Sequence, residues 1–224
     1  MLNKYLPNFI NYLPEFKISL IETAQMMIIS GTLVIVLGII IGVFLVVTKP
    51  GGILENKPVS KLLDVITNLV WSIPFFILYM LLYPLVSLLF GKQAISVTGA
   101  IIPLVIGAIP FFVRQVESSL LDVNPGLIEA AQSMGQSKVQ IITRVYLKES
   151  IPRLARGASI TLVVLFGLTT IAGSFGTGGL GVFVKRYGYD RSMLDILYIS
   201  VLVIILIVSF IQGLGSYIAK KTTH

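Results

Sequence analysis

Apolar runs dominate this chain, and its polar positions punctuate them at regular intervals. Five windows contain no charged side chain: 23–48, 65–91, 93–113, 157–184 and 196–219. Each reaches the roughly 20 residues a helix needs to cross the hydrocarbon of a bilayer. The pattern predicts an all-α integral membrane protein with five transmembrane helices, forming a single transmembrane domain over residues 1–224. Turn signals mark the joints. Thr48-Lys49-Pro50-Gly51-Gly52 closes the first span with a lysine able to snorkel. The second carries Trp71-Ser72-Ile73-Pro74 and runs to Phe90-Gly91-Lys92, which leaves little chain before the third, so the two form a tight hairpin. Pro103 and Pro110 remove backbone donors from the third span and predict a kink or break there, with a gating hinge as the functional alternative to plain bending.

Residues 1–20 follow another pattern. Leu2, Tyr5, Leu6, Phe9, Ile10, Leu13 and Phe16 stand among polar residues, with breaks at Pro7 and Pro14, as expected of an interfacial lead that hugs the membrane. A cleaved signal peptide is the alternative; the long window after Glu22 lacks the short apolar core and small-residue cleavage site that reading needs.

The polar stretch between Arg114 and Arg156 holds ten charges in 43 residues. Asn124 is suited to an N-cap and Pro125 to the first helical position; Leu127, Ile128, Ala131 and Met134 supply an apolar face, and Gly135 can end the helix in a left-handed conformation. Ser137 and Gln140 then make a capping box for a second helix, in which Ile141, Ile142, Val145 and Tyr146 repeat at helical spacing up to Glu149. Pro152 is placed to start the helix of span four. Residues 124–150 are thus expected to form two short amphipathic helices in a cytoplasmic loop between spans three and four. Ala130 and Ala131 are small enough for a partner to approach closely. The first helix has no Lys or Arg and its one charge is Glu129, whereas lipid-surface helices usually carry basic faces, so a protein partner fits better.

Composition narrows the function classes. Only 12% of residues are charged and the mean hydropathy is +0.93, far from a water-soluble domain. With no cysteine, and a single terminal histidine at 224, disulfides and thiolate metal sites are excluded, and no metal, cofactor or catalytic residue is expected. The net charge of +7 is spread between the spans instead of clustering with aromatics, which argues against nucleic acid. With the N-terminus outside and the C-terminus cytoplasmic, eleven of the seventeen Lys and Arg face the cytoplasm, as the positive-inside rule favours.

Gly176-Thr177-Gly178-Gly179-Leu180-Gly181 has the spacing of a dinucleotide fingerprint. It follows an apolar span, and the acids downstream are Asp190 and Asp195, so a tight external turn with close helix packing is the better reading. Gly215 to Lys220 lacks the second glycine of a phosphate-binding loop, so this chain does not hydrolyse ATP itself. The charge-free windows also lack the ionisable groups a proton-driven carrier places in the membrane.

The motifs together resemble the permease subunits of ATP-binding-cassette importers. Glu129-Ala130-Ala131 followed by Gly135 is similar to their coupling-loop motif, which continues in the family to an Ile-x-Leu-Pro segment; here Val145-Tyr146-Leu147-Lys148 departs from it, with Pro152 four residues further on. Trp71 to Phe75, Ile102 to Gly107, Pro110-Phe111, Gly126 to Ala131, Gly176 to Gly181 and Tyr187 to Tyr189 resemble the methionine-family permeases in particular. The resemblance implies an amino-acid importer subunit in the cell membrane, with Glu129, Ala130, Ala131 and Gly135 as its ATPase-coupling residues. It implies as partners a second copy of the chain, a dimer of ATPase subunits, an extracytoplasmic substrate-binding lipoprotein and membrane lipid. In span four, Leu165, Phe166, Leu168 and Ile171 stand among Gly167, Ala172 and Gly173 as apolar plugs beside small residues, and Ile171 is the candidate gate. The alternatives are a permease for another small solute, an ion channel, which leaves the cassette unexplained, and an integral-membrane enzyme, for which Asp190 with Asp195 is the nearest acidic pair.

Overall fold

The computed structural model describes residues 6–222, so Leu2 and Tyr5 of the expected lead, and His224, lie outside the described residues. Among the described residues ten α-helices follow in order: α1 (Pro7–Asn11), α2 (Leu13–Val47), α3 (Lys57–Ser72), α4 (Phe75–Phe90), α5 (Val97–Leu121), α6 (Pro125–Ser133), α7 (Lys138–Ile141), α8 (Leu147–Gly173), α9 (Gly179–Phe183) and α10 (Leu194–Thr222). A 3-10 turn, Gly91–Ala94, follows α4, and π-helical turns occupy Ile142–Tyr146 and Val184–Tyr189. Five helical stretches are long and apolar enough to cross a membrane: Leu13–Val47, Phe75–Ala94, Val97–Leu121, Lys138–Gly173 and Leu194–Thr222. The expected all-α, five-span membrane architecture is therefore present.

The boundaries differ from the charge-free windows for a physical reason. At 35 residues α2 is about 50 Å long, well beyond the hydrocarbon thickness, so Glu15, Lys17 and Glu22 ride on its first turns without entering the apolar core. The last third of the expected lead is thus the start of α2, with Pro14 in the first turn where its missing N–H does no harm.

The break that the prolines of span three would allow does not occur. α5 runs through Pro103 and Pro110 without interruption, and both rings are buried, so packing holds the helix where the lost donors alone would weaken it. Exposed Pro74 is the one that interrupts the second window: α3 ends at Ser72, and α4 begins at Phe75 with Pro74 extended at φ −55° and ψ 133°. Trp71 consequently belongs to α3, outside the second span.

The chain divides into two compact units. One comprises residues 1–32, 73–107 and 162–211. Its core gathers Phe16, Phe166, Leu180, Phe183 and Ile196, with Phe16 and Phe183 edge to face at 5.4 Å and Phe9 against Phe16 at 5.0 Å. The glycine turn before α9 is closed by α2: the Glu22 carboxylate accepts the Gly179 N–H at 2.6 Å, and the Thr23 hydroxyl oxygen accepts the Leu180 N–H at 2.8 Å. At the start of α10 the Asp195 carboxylate accepts the N–H groups of Asn8 and Phe9 at 2.9 and 3.1 Å, which fastens α1 there.

The other unit comprises residues 33–72, 108–161 and 212–224. α2 and α5 approach closely because a side chain at Gly42 would meet Val116 Cγ1 at 2.6 Å and one at Gly38 would meet the Phe112 ring. The polar segment between spans three and four lies wholly in this unit.

Candidate functional site

The segment between α5 and α8 is built from its caps. The Asn124 side chain accepts the Gly126 N–H at 2.9 Å, with Pro125 at the first helical position of α6. Gly135 takes φ +71° after α6, and its N–H reaches the Gln132 carbonyl at 2.9 Å. The Ser137–Gln140 capping box is present in both directions, with Ser137 N–H donating to Gln140 Oε1 at 2.8 Å and Gln140 N–H to Ser137 Oγ at 3.3 Å. The second helix is not a separate short one, however. α7, the π turn and α8 form one helical path from Lys138 to Gly173 that passes through Pro152. Two residues before that proline, fully buried Ser150 donates its hydroxyl to the Ser119 carbonyl at 3.0 Å, which holds the turn against α5. The missing amide of Pro152 is then tolerated.

Among the coupling candidates, Glu129, Ala130 and Gly135 are exposed, but Ala131 is 2% exposed and faces inward. Its small side chain therefore serves the packing of α6, and an approaching partner would meet Ala130 instead. The expected apolar face divides in the same way. Ile128 is half-buried, whereas Leu127 and Met134 are exposed, as is Val139 on α7. A cavity of about 350 Å3 lies on the inner side of α6, lined among others by Ile53, Leu120, Ile128, Glu129, Gln132 and Tyr146.

An ion network lies in the same unit as this segment. Glu117 on α5, whose side chain is 11% exposed, accepts from Lys49 and from Arg114 Nη1, the latter at 2.5 Å. Arg114 Nη2 reaches Asp64 Oδ1 at 2.7 Å and Asn68 Oδ1 at 2.6 Å on α3. Four charges of balanced sign thus join the turn after α2, α3 and α5. Sequence reasoning missed the network, although Asp64 and Asn68 at i,i+4 and Arg114 and Glu117 at i,i+3 each mark one helix face.

Span four separates the gate candidates. Leu165 and Phe166 are buried in the core of their unit, so they do not act as plugs; Leu168 is half-buried. Ile171 is 36% exposed, and Gly167, one turn before it, is open, with nothing within 4 Å of an added Cβ. Among the described residues no group of three or more His, Cys, Asp or Glu is arranged to hold a metal. No strand occurs among them either, so the glycine-rich turn before α9 lacks the strand a dinucleotide site requires, and its amides are taken by Glu22 and Thr23.

Five helices long and apolar enough to cross a membrane, with an exposed, capped helix between two of them, describe an integral membrane component. Residues 34–224 match the binding-protein-dependent transport system inner membrane components, and the chain belongs to that family. It is 41% identical over 203 residues to the probable D-methionine transport system permease protein MetI of Vibrio cholerae, covering 91% of this chain and 90% of that protein. With the protein of the same description from Pasteurella multocida it shares 42% identity over 207 residues, covering 92% and 95%. The inward-facing MetNI methionine ABC transporter in its CY5 native crystal form matches the fold with a TM-score of 0.90 at 34% identity, over 96% of this chain and 99% of that one.

Proposed function

We propose that this chain is the permease subunit of an ATP-driven methionine importer, working as a homodimer with a pair of ATPase subunits and an extracytoplasmic substrate-binding lipoprotein. Family membership over residues 34–224, with an exposed α6 between α5 and α8, is the observation that carries this reading. The likeness to transporters and permeases named for methionine supports the substrate. In this reading the N-terminus is outside and the C-terminus cytoplasmic, which puts residues 124–150 on the side where ATP is hydrolysed. ATP-driven closure of the partner moves α6 through Glu129, Ala130 and Gly135, with Ala131 holding that helix to its own unit, and the two protomers alternate access between the two faces. Ile171 of each protomer forms the gate on the external side.

The test is methionine uptake in proteoliposomes carrying this chain with and without the ATPase and binding protein. Uptake that depends on all three is expected; ATP-driven uptake by this chain alone would overturn the assignment, and uptake of another solute but not methionine would overturn the substrate. Glu129→Lys and Gly135→Leu should each lower uptake by roughly tenfold or more while insertion is normal, the range of coupling effects between sites. Ile171→Cys, in a chain with no other cysteine, should crosslink between protomers in one nucleotide state only. Equal crosslinking in both states, or none, removes Ile171 from the gate.

A further inference from the structure

We infer that a basic cleft where α8 meets the end of α10 binds the headgroup phosphate of an anionic phospholipid. The cleft, a cavity of about 360 Å3, is lined by Lys148, Arg153 and Arg156 of α8, by Asp122 and Glu149, and by Thr222 near the end of α10, with neighbouring parts of α6. Only one of the three cations has an ionic partner among the described residues: Arg153 Nε stands 3.6 Å from Asp122 Oδ2, with both side chains about half exposed. The side chains of Lys148 and Arg156 make no hydrogen bond or ion pair among those residues and face a cavity. Three cations less two carboxylates leave a lining charge of +1. That balance suits a monoanionic phosphodiester better than dianionic free phosphate, and guanidinium groups match phosphate oxygens in geometry.

The surroundings supply a place for the rest of a lipid. On α8, Pro152 and Arg156 line the cleft and Ile160, 47% exposed, follows one turn further into the span. On α10, Thr222 lines the cleft, and Ile218 and Leu214, 47% and 46% exposed, recede from it at the same spacing, with exposed Tyr217 beside them. The two rows lie on helices in close contact, since a side chain at Gly215 would come 3.3 Å from the Ala155 carbonyl oxygen. Two apolar tracks therefore leave a basic cleft and run along membrane-spanning helices, and exposed Tyr217 on α10 is an aromatic of the kind found at membrane interfaces. Free phosphate would use the cleft but not the tracks. Lys220 and Lys221 in the last turn of α10 add to the attraction for an anionic surface. This assignment needs α8 and α10 to cross the membrane but does not depend on what the protein transports.

Native mass spectrometry of the intact chain, extracted with its assembly and exchanged into nanodiscs of phosphatidylglycerol and phosphatidylcholine, reads the site directly. Phosphatidylglycerol should be retained in preference to phosphatidylcholine, and the doubly substituted Lys148→Gln, Arg156→Gln protein should retain it about 30-fold more weakly, at roughly fivefold per charge removed. Lys148→Arg with Arg156→Lys keeps the charges and should keep the lipid. Millimolar inorganic phosphate should not displace it. Equal retention of both lipids, unchanged retention in the glutamine variant, or displacement by inorganic phosphate would each overturn the proposal. Loss of a protein subunit from the glutamine variant with lipid retention unchanged would assign the cleft to that subunit and overturn it equally.

Discussion

Glu22 and Asp195 in one unit of this protein and Glu117 in the other are held by different kinds of donor. In the unit built on the aromatic core, Glu22 ends on the Gly179 N–H, and Asp195 on the N–H groups of Asn8 and Phe9 with the Asn8 side-chain amide added. In the unit that carries α6, Glu117 ends on the side chains of Lys49 and Arg114, and Arg114 reaches on to Asp64 and Asn68. A backbone donor is fixed by the helix or turn that presents it, so the first arrangement locks segments in place. A side-chain donor can change partner by changing rotamer, so the second ties three elements together while leaving them able to re-pair. The proposed importer asks for movement of α6, and the exchangeable contacts occur in the unit that carries α6.

Breaking the network at its centre should have the largest effect. Glu117→Leu removes the one acceptor shared by Lys49 and Arg114 and leaves two cations facing an apolar side chain, which should lower stability by about 3 kcal/mol. Thermal unfolding in detergent measures this, and Lys49→Met, which leaves the Arg114–Glu117 pair intact, should have a smaller effect. Wild-type melting of the leucine variant would mean that the network does not hold this unit together.

The backbone-anchored side of the comparison is tested at Gly178. Its φ of +98° is unfavourable for any other residue, and an added Cβ would lie 2.6 Å from the Glu22 carboxylate. Gly178→Ala should therefore lower stability by about 2 kcal/mol, and hydrogen exchange should quicken first at the Gly179 and Leu180 amides. Gly135 is the matched case. It also has positive φ, at +71°, but nothing lies within 4 Å of an added Cβ, so Gly135→Ala meets only backbone strain and should lower stability by about 1 kcal/mol. Equal effects at the two positions would remove the Glu22 contact from the account.

The five spans, the caps of α6 and the capping box at Ser137 were legible because each depends on residues close together in sequence. The charge-free windows found the spans but misplaced their ends, since a long helix can carry charges on turns that lie outside the hydrocarbon. Pro74, Pro103 and Pro110 look alike in sequence, yet only Pro74 interrupts a helix, and Pro84, exposed inside α4, shows that exposure alone does not decide which does. The same limit explains Ala131, Leu165 and Phe166: small or apolar residues on an amphipathic helix are equally suited to a partner and to the protein's own core. The Glu117 network was hidden because its members come from positions 49, 64, 68, 114 and 117, and only folding brings them together.

The smallest expected effect sharpens the contrast with Glu117. Lys185 and Asp190 form an ion pair at 2.9 Å in the aromatic unit, but their side chains are 57% and 45% exposed, and the Asp190 N–H is held independently by the Lys185 carbonyl at 2.8 Å. Water competes for both charges and salt screens them, while the backbone bond remains after the side chain is removed. Lys185→Ala should change stability by no more than about 0.5 kcal/mol, and raising the salt concentration should abolish even that difference. The comparison is between this variant and Glu117→Leu in the same detergent: a loss at Lys185 as large as that at Glu117 would mean that charge pairing alone, without burial and shared partners, sets the stability of both units.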